Sequence, residues 1–177
     1  MVKIPASKGE GVTLMGVLSW GMAKTMIFKH KKVDRKKRDP NHTNLNGTCG
    51  ENVLAFFQFL HREIGLRSKC IIMDNHPSHW RHLVRDYLEK VGCYVLYTPK
   101  ASSWCNPIET LWALVKKRWA AALLAQPHNQ ATQAWMVETL EQICDSITEE
   151  QLQRLSCCHY KDVVHWLERM STRLAEE

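Results

Sequence analysis

The stretch KCIIMDNHPSHWRHLVRDYLEKVGCYVLYTP, Lys69 to Pro99, constrains the fold more than any other part of the chain. Its two apolar runs, KCIIMD and CYVLYTP, are short and bounded by polar residues, as strands are. Between them Leu83, Val84, Tyr87, Leu88 and Val91 recur at helical spacing. Pro77 is tolerated in a first helical turn and Gly92 stops the run. Two strands joined by a helix pair in parallel through a right-handed crossover. Runs this continuously apolar suit strands covered on both faces. The segment therefore predicts an α/β unit.

The flanks extend it. GVTLMGVLSWG, Gly11 to Gly21, reads as a strand closing on a turn glycine, and AKTMIFKHKKV completes a hairpin. Lys31 to Gly47 is basic, carries Pro40 and has no periodicity, so it reads as an exposed loop. TCGENVLAFFQFLHREIG reads as a helix with Thr48 as N-cap and Glu51 closing a capping box. Its core face is Val53, Phe56, Phe57 and Leu60, and Gly65 ends it. Asn106 and Pro107 are the preferred cap and first residue of a helix over NPIETLWALVKKRWAAALLA. Beyond Pro127 the pattern is helical: Thr132 to Ile147, a run capped by Thr148, and Lys161 to Leu174. The expected architecture is a mixed sheet flanked by helices. Residues 1–127 form its core and 128–177 a helical extension of the same domain.

Composition excludes several classes. A hydrophobic fraction of 45% over 177 residues suits one packed domain, not a disordered chain. No apolar run approaches the roughly 20 residues of a membrane span. Seven cysteines, an odd number without an export signal, predict free thiols in a reducing compartment. That means an intracellular protein, in the nucleus of a eukaryote or the cytoplasm of a bacterium. Cys157, Cys158 and His159, with Cys144 and His165 nearby, suggest zinc only weakly, because no CxxC pair is present. A net charge of +6 points to an anionic partner, nucleic acid first. Lys31, Lys32, Arg35, Lys36, Lys37 and Arg38 are the densest cations. They serve either DNA contact or plain solubility.

In open α/β sheets the functional groups collect beyond the carboxyl ends of the strands. Asp74 sits at such an end. Glu109 lies in a first helical turn after the loop that leaves the next strand. Converging carboxylates suit a hard cation such as Mg²⁺, which keeps waters and substrate phosphates as its other ligands. Two such ions about 4 Å apart can clamp an in-line phosphoryl transfer. The simpler alternatives are a helix-dipole acid for Glu109 and a helix cap for Asp74.

MDNHPSH and YTPKASSWCNPIETLWALVKKRW together resemble the catalytic core of the mariner superfamily of DDE transposases, including bacterial insertion-sequence relatives. The matches are Asp74, Asn75, His79, Pro99, Asn106, Pro107, Ile108, Glu109 and Trp112, with 34 residues between the two acids. The resemblance implies a ribonuclease H-like fold and a DNA strand transferase using Mg²⁺ or Mn²⁺. Asp74 would be the second and Glu109 the third metal-binding acid of a triad. Asn75, His79 and Asn106 would contact the substrate strand or support the metal. Lys116, Lys117 and Arg118 would meet phosphates, or else form a solvated helix face. Transposon-end DNA is the partner implied, and a homodimer is compatible with it; no membrane is.

The chain also departs from that pattern. The family's first acid lies on a first core strand, between the second and fourth, and nothing in MVKIPASKGE fills that role. The expectation is a core lacking the first strand and first Asp, with impaired catalysis, as in a truncated or domesticated relative. Either the second and fourth strands then pair directly or the sheet has a gap. The alternatives are a non-catalytic DNA-binding module and an interaction scaffold built on the Trp135, Met136, Leu140 and Ile143 stripe.

Overall fold

The computed structural model describes residues 2–4, 11–30, 49–99, 102, 106–126 and 131–157. The basic stretch Lys31 to Arg38, Thr48, the SWC of the SSWCN loop and the segment from Cys158 onward lie outside the described residues. The elements run β1 (Val2–Ile4), β2 (Val12–Ser19), β3 (Met22–Lys29), α1 (Gly50–Ile64), β4 (Cys70–Met73), a 3₁₀ turn (Pro77–Trp80), α2 (His82–Lys90), β5 (Tyr94–Tyr97), α3 (Ile108–Ala125) and α4 (Gln133–Asp145). A further helix, α5, covers 149–157.

The hairpin expected around Gly21 is present. β2 and β3 pair antiparallel from Val12↔Lys29 to Ser19↔Met22. Gly21 takes a φ of +66°, which the second corner of such a two-residue turn favours in glycine. β4 and β5 form the expected parallel pair, Cys70↔Tyr94 to Met73↔Tyr97. The strands do not merge into one sheet. β1, β2 and β3 make a three-stranded sheet, β4 and β5 a two-stranded one, and no described pairing joins them. Of the two arrangements expected, the gap is the one found.

β2 is buried on both faces. Val12 and Leu14 enter a core with Leu111, Trp112, Val115 and Trp119 of α3, Met136, Leu140 and Ile143 of α4, and Leu152 of α5. Met15 enters a second core with Val53, Phe56, Phe57 and Leu60 of α1, Ile71 and Met73 of β4, and Val84 and Leu88 of α2. The helical stripe on α4 is thus core. Its Trp135 packs on Trp119 with ring centroids 5.3 Å apart.

Several local expectations are corrected. The N-cap of α1 is Cys49, which makes no side-chain capping bond, while Thr48, the cap expected from the sequence, lies outside the described residues. The helix predicted from Pro77 breaks in two. Arg81 turns extended at φ −57°, ψ 132°, between the 3₁₀ turn and α2. Tertiary packing demands that bend: Trp80 stacks on Tyr97 at 4.0 Å, and Arg81 Cγ would lie 2.7 Å from a Cβ on Gly50. Among the described residues, β4 and β5 are covered on one face only. Ile71 and Met73 face α1 and α2, while Ile72, Tyr94 and Leu96 stand 54%, 68% and 59% exposed. Thr132 caps α4, accepting from the Trp135 amide at 3.2 Å. Thr148, the expected cap, forms a reciprocal box with Gln151.

Gly16 is a close approach of β2 to α3. A Cβ there would meet Trp112 Cη2 at 2.7 Å, and Trp112 is only 2% exposed. Gly16→Ala should destabilise the chain by about 1–3 kcal/mol through overpacking. Urea unfolding will check this, and an unchanged midpoint would count against the contact.

Candidate functional site

β4 ends at Met73, and Asp74 is the first residue beyond it, where the backbone leaves the ladder. Two side-chain bonds shape this edge. Asn75 donates its side-chain amide to the Thr98 carbonyl, which ties the exits of the two parallel strands together. His79 Nδ1 lies 2.8 Å from Asp74 Oδ1 and 3.2 Å from the Asp74 carbonyl. The Tyr97 hydroxyl donates to the His79 carbonyl at 3.3 Å. The histidine is therefore held from β5 while it holds the acid.

The hydrogen bond from His79 is the main reason the Asp74 carboxyl sits below the usual aspartate range, against the opposing effect of partial burial. The His76 amide adds a weaker bond at 3.4 Å. The Asp74 side chain remains 51% exposed, so a solvated cation can reach it.

His76 has a structural task that the sequence did not disclose. Its Nδ1 accepts from the Ser78 amide at 3.3 Å and lies 2.7 Å from Ser78 Oγ, and Ser78 is buried. It caps the 3₁₀ turn from outside, much as an Asx residue would. Its ring lies 5.8 Å from that of His79.

Glu109 arrives from the other core. α3 packs on β2 through Trp112 and Val115. At its start Asn106 Oδ1 accepts from the Ile108 amide at 3.4 Å, and the Asn106 carbonyl accepts from the Glu109 amide at 3.0 Å. Asn106 thus supports the first turn as predicted, though Pro107 occupies the formal cap. A cavity of about 420 Å³ joins the two sides. Asp74, His76 and His79 line it from β4 and the loop beyond, and Asn106 and Glu109 from α3. Asn75 is not among its lining residues.

The cations divide. Lys116 and Lys117 are exposed on α3. Arg118 is occupied within the fold, donating to Ser146 Oγ at 2.7 Å and Gln151 Oε1 at 3.1 Å. It fastens α3 to the turn between α4 and α5. Lys31, Lys32, Arg35, Lys36, Lys37 and Arg38 lie outside the described residues. No three His, Cys, Asp or Glu side chains cluster as a metal site among the described residues. Cys144 and Cys157 carry free thiols.

The mixed α/β body, with small sheets flanked by helices, is consistent with a ribonuclease H-like fold, and Asp74 and Glu109 line one cavity within it. The model of the DDE superfamily endonuclease family matches residues 7–128, well over half of the chain, and the protein belongs to that family. No curated protein matches it. Among the described residues no helix is long and apolar enough to cross a membrane.

The Asp74–His79 bond has a pH signature. A carboxyl lowered in the folded state stabilises the fold above its unfolded value, about 3.9, and the contribution is lost as pH falls through the folded value. Asp74→Asn should therefore be less stable than the parent at pH 7, with the difference closing below about pH 4. Thermal melts across that range will show it. A difference independent of pH would mean that the carboxylate charge plays no part.

Proposed function

We propose that this protein is a mariner-type transposase core that binds DNA, with a metal-dependent phosphoryl-transfer site that is catalytically impaired in this chain. One observation carries it: Asp74 and Glu109, supplied by separate elements, line the same cavity together with His76, His79 and Asn106. The pair fits a hard cation in donor chemistry. Carboxylate oxygens, waters and substrate phosphates make up a Mg²⁺ shell, and one or two carboxylates suffice for a single ion. When bound, Mg²⁺ or Mn²⁺ would offset charge on the phosphate and lower the pKa of the attacking water.

The protein's own side chains have the following tasks. Asp74 and Glu109 hold the cation. His79 keeps Asp74 ionised and aimed, and it also competes for Oδ1, which a metal must share with it. Asn106 sets the first turn of α3 and so the position of Glu109. Lys116 and Lys117 meet backbone phosphates, as the basic stretch Lys31 to Arg38 does. Two carboxylates do not make the two-ion clamp that efficient strand transfer uses. A non-catalytic DNA-binding module is therefore the second possibility.

Both are tested in one series on the full chain. Binding of a labelled duplex should weaken steeply with salt, and Lys116→Ala with Lys117→Ala should lower the log–log salt slope by up to about 2. Plasmid nicking in Mg²⁺ or Mn²⁺ should be weak and should vanish in Asp74→Asn and in Glu109→Gln. Nicking unaffected by either change would remove the two acids from the chemistry. No binding at low salt would overturn both possibilities.

A further inference from the structure

Trp80 is the last residue of the 3₁₀ turn, and it stands 46% exposed. It is not a loose surface side chain. Its indole lies nearly parallel to the Tyr97 ring, with centroids 4.0 Å apart and an interplanar angle of 11°. One indole face is therefore covered. A ring sandwiched on both faces would not leave nearly half of the residue open, so the exposed surface includes the other face.

The stack is fixed to the acidic edge. The Tyr97 hydroxyl donates to the His79 carbonyl, and His79 in turn holds Asp74. Trp80 follows His79 directly, with about 3.8 Å between consecutive Cα atoms. The turn that carries it is braced at both ends. His76 accepts from the Ser78 amide at its start, and Arg81 takes an extended conformation at its close. The open aromatic face is thus preset next to the histidine that grips a candidate metal-binding acid.

Its surroundings are basic. Arg81 and Arg85 are exposed, and neither forms an ion pair among the described residues. Burial pushes the Tyr97 hydroxyl pKa up and the Arg85 charge opposes it, which places that cation near the polar end of the stack. A flat aromatic face flanked by uncommitted guanidinium groups is how proteins hold single-stranded nucleic acid: bases stack on the ring while the cations follow the phosphates. Within a duplex, neighbouring bases already cover both faces of each base. Only a base taken out of that stack has a face to offer.

We propose that the open face of Trp80 is a stacking platform for an unpaired nucleobase of DNA, with Arg81 and Arg85 meeting the adjoining phosphates. A single-stranded or frayed stretch is thereby held beside Asp74, in preference to intact duplex. This inference rests on the reading of the protein as DNA-binding, and it adds the strand state that is selected and the residue that selects it.

Three fluorescein-labelled probes of equal length are titrated into the full chain at one low salt concentration: an oligothymidylate, a strand of abasic residues and a duplex. The unaltered chain should bind the oligothymidylate about fivefold to a hundredfold more tightly than the abasic strand, because the phosphates are the same and only the stacking differs. Trp80→Ala should lose that difference and leave duplex binding unchanged, and Trp80→Phe should restore part of it. An iodouracil placed in the strand should crosslink to Trp80 under long-wave ultraviolet light, mapped by mass spectrometry. The crosslink is read on the unaltered chain, so the test stands even if the variants unfold. Equal binding of the oligothymidylate and the abasic strand, or crosslinks only to other residues, would overturn the proposal while duplex binding keeps the DNA-binding reading intact. Equal losses of strand and duplex binding in a folded Trp80→Ala would overturn it too. Binding of none of the three probes would remove the DNA-binding reading itself, and the proposal with it.

Discussion

β2 is the strand on which both cores close. Its even-numbered side chains, Val12 and Leu14, pack into α3, α4 and α5, and Met15 turns into α1, α2 and β4. A β2 with one polar face could seat only one of the two cores. Gly16 lets Trp112 approach the strand, and Gln133, at the start of α4, donates to the Gly11 and His30 carbonyls where the hairpin ends. Arg118 then locks α3 to the turn before α5. The second half of the chain is seated on β2 by packing, and by a few polar clips at its margins.

The candidate site inherits that division. Asp74 belongs to the parallel strand pair, whose exits are joined by Asn75 and Thr98. Glu109 belongs to α3, which is placed by β2. The two acids are brought to one cavity only because β2 contributes to both cores. His79 adds a local constraint, since it is bonded both to Asp74 and, through its carbonyl, to Tyr97.

Much of this was legible in the residues. The periodicity of Leu83 to Val91 placed α2, the alternation around Gly21 placed the hairpin, and the spacing of Asp74 and Glu109 pointed to one edge. Errors arose where a distant contact overrode a local preference. Pro77 can open a long helix, but Trp80 on Tyr97 and Arg81 against Gly50 bend the chain after one turn. KCIIMD and CYVLYTP look like strands covered twice, yet Ile72, Tyr94 and Leu96 are open on one side. His76 accepts from the Ser78 amide and caps the 3₁₀ turn, a task no local pattern announced.

The sequence by itself determined the elements, their polarity and the family, because hydrophobic period, turn glycines and motif spacing are local properties. It also placed both acids at element ends that can face each other. Only the tertiary structure decided that the sheet is split between β2 and β4, that Arg118 is used inside the fold, and that His79 grips Asp74. The reason is that strand pairing and side-chain partners join residues far apart in the chain, and apolar runs do not record which edges will meet.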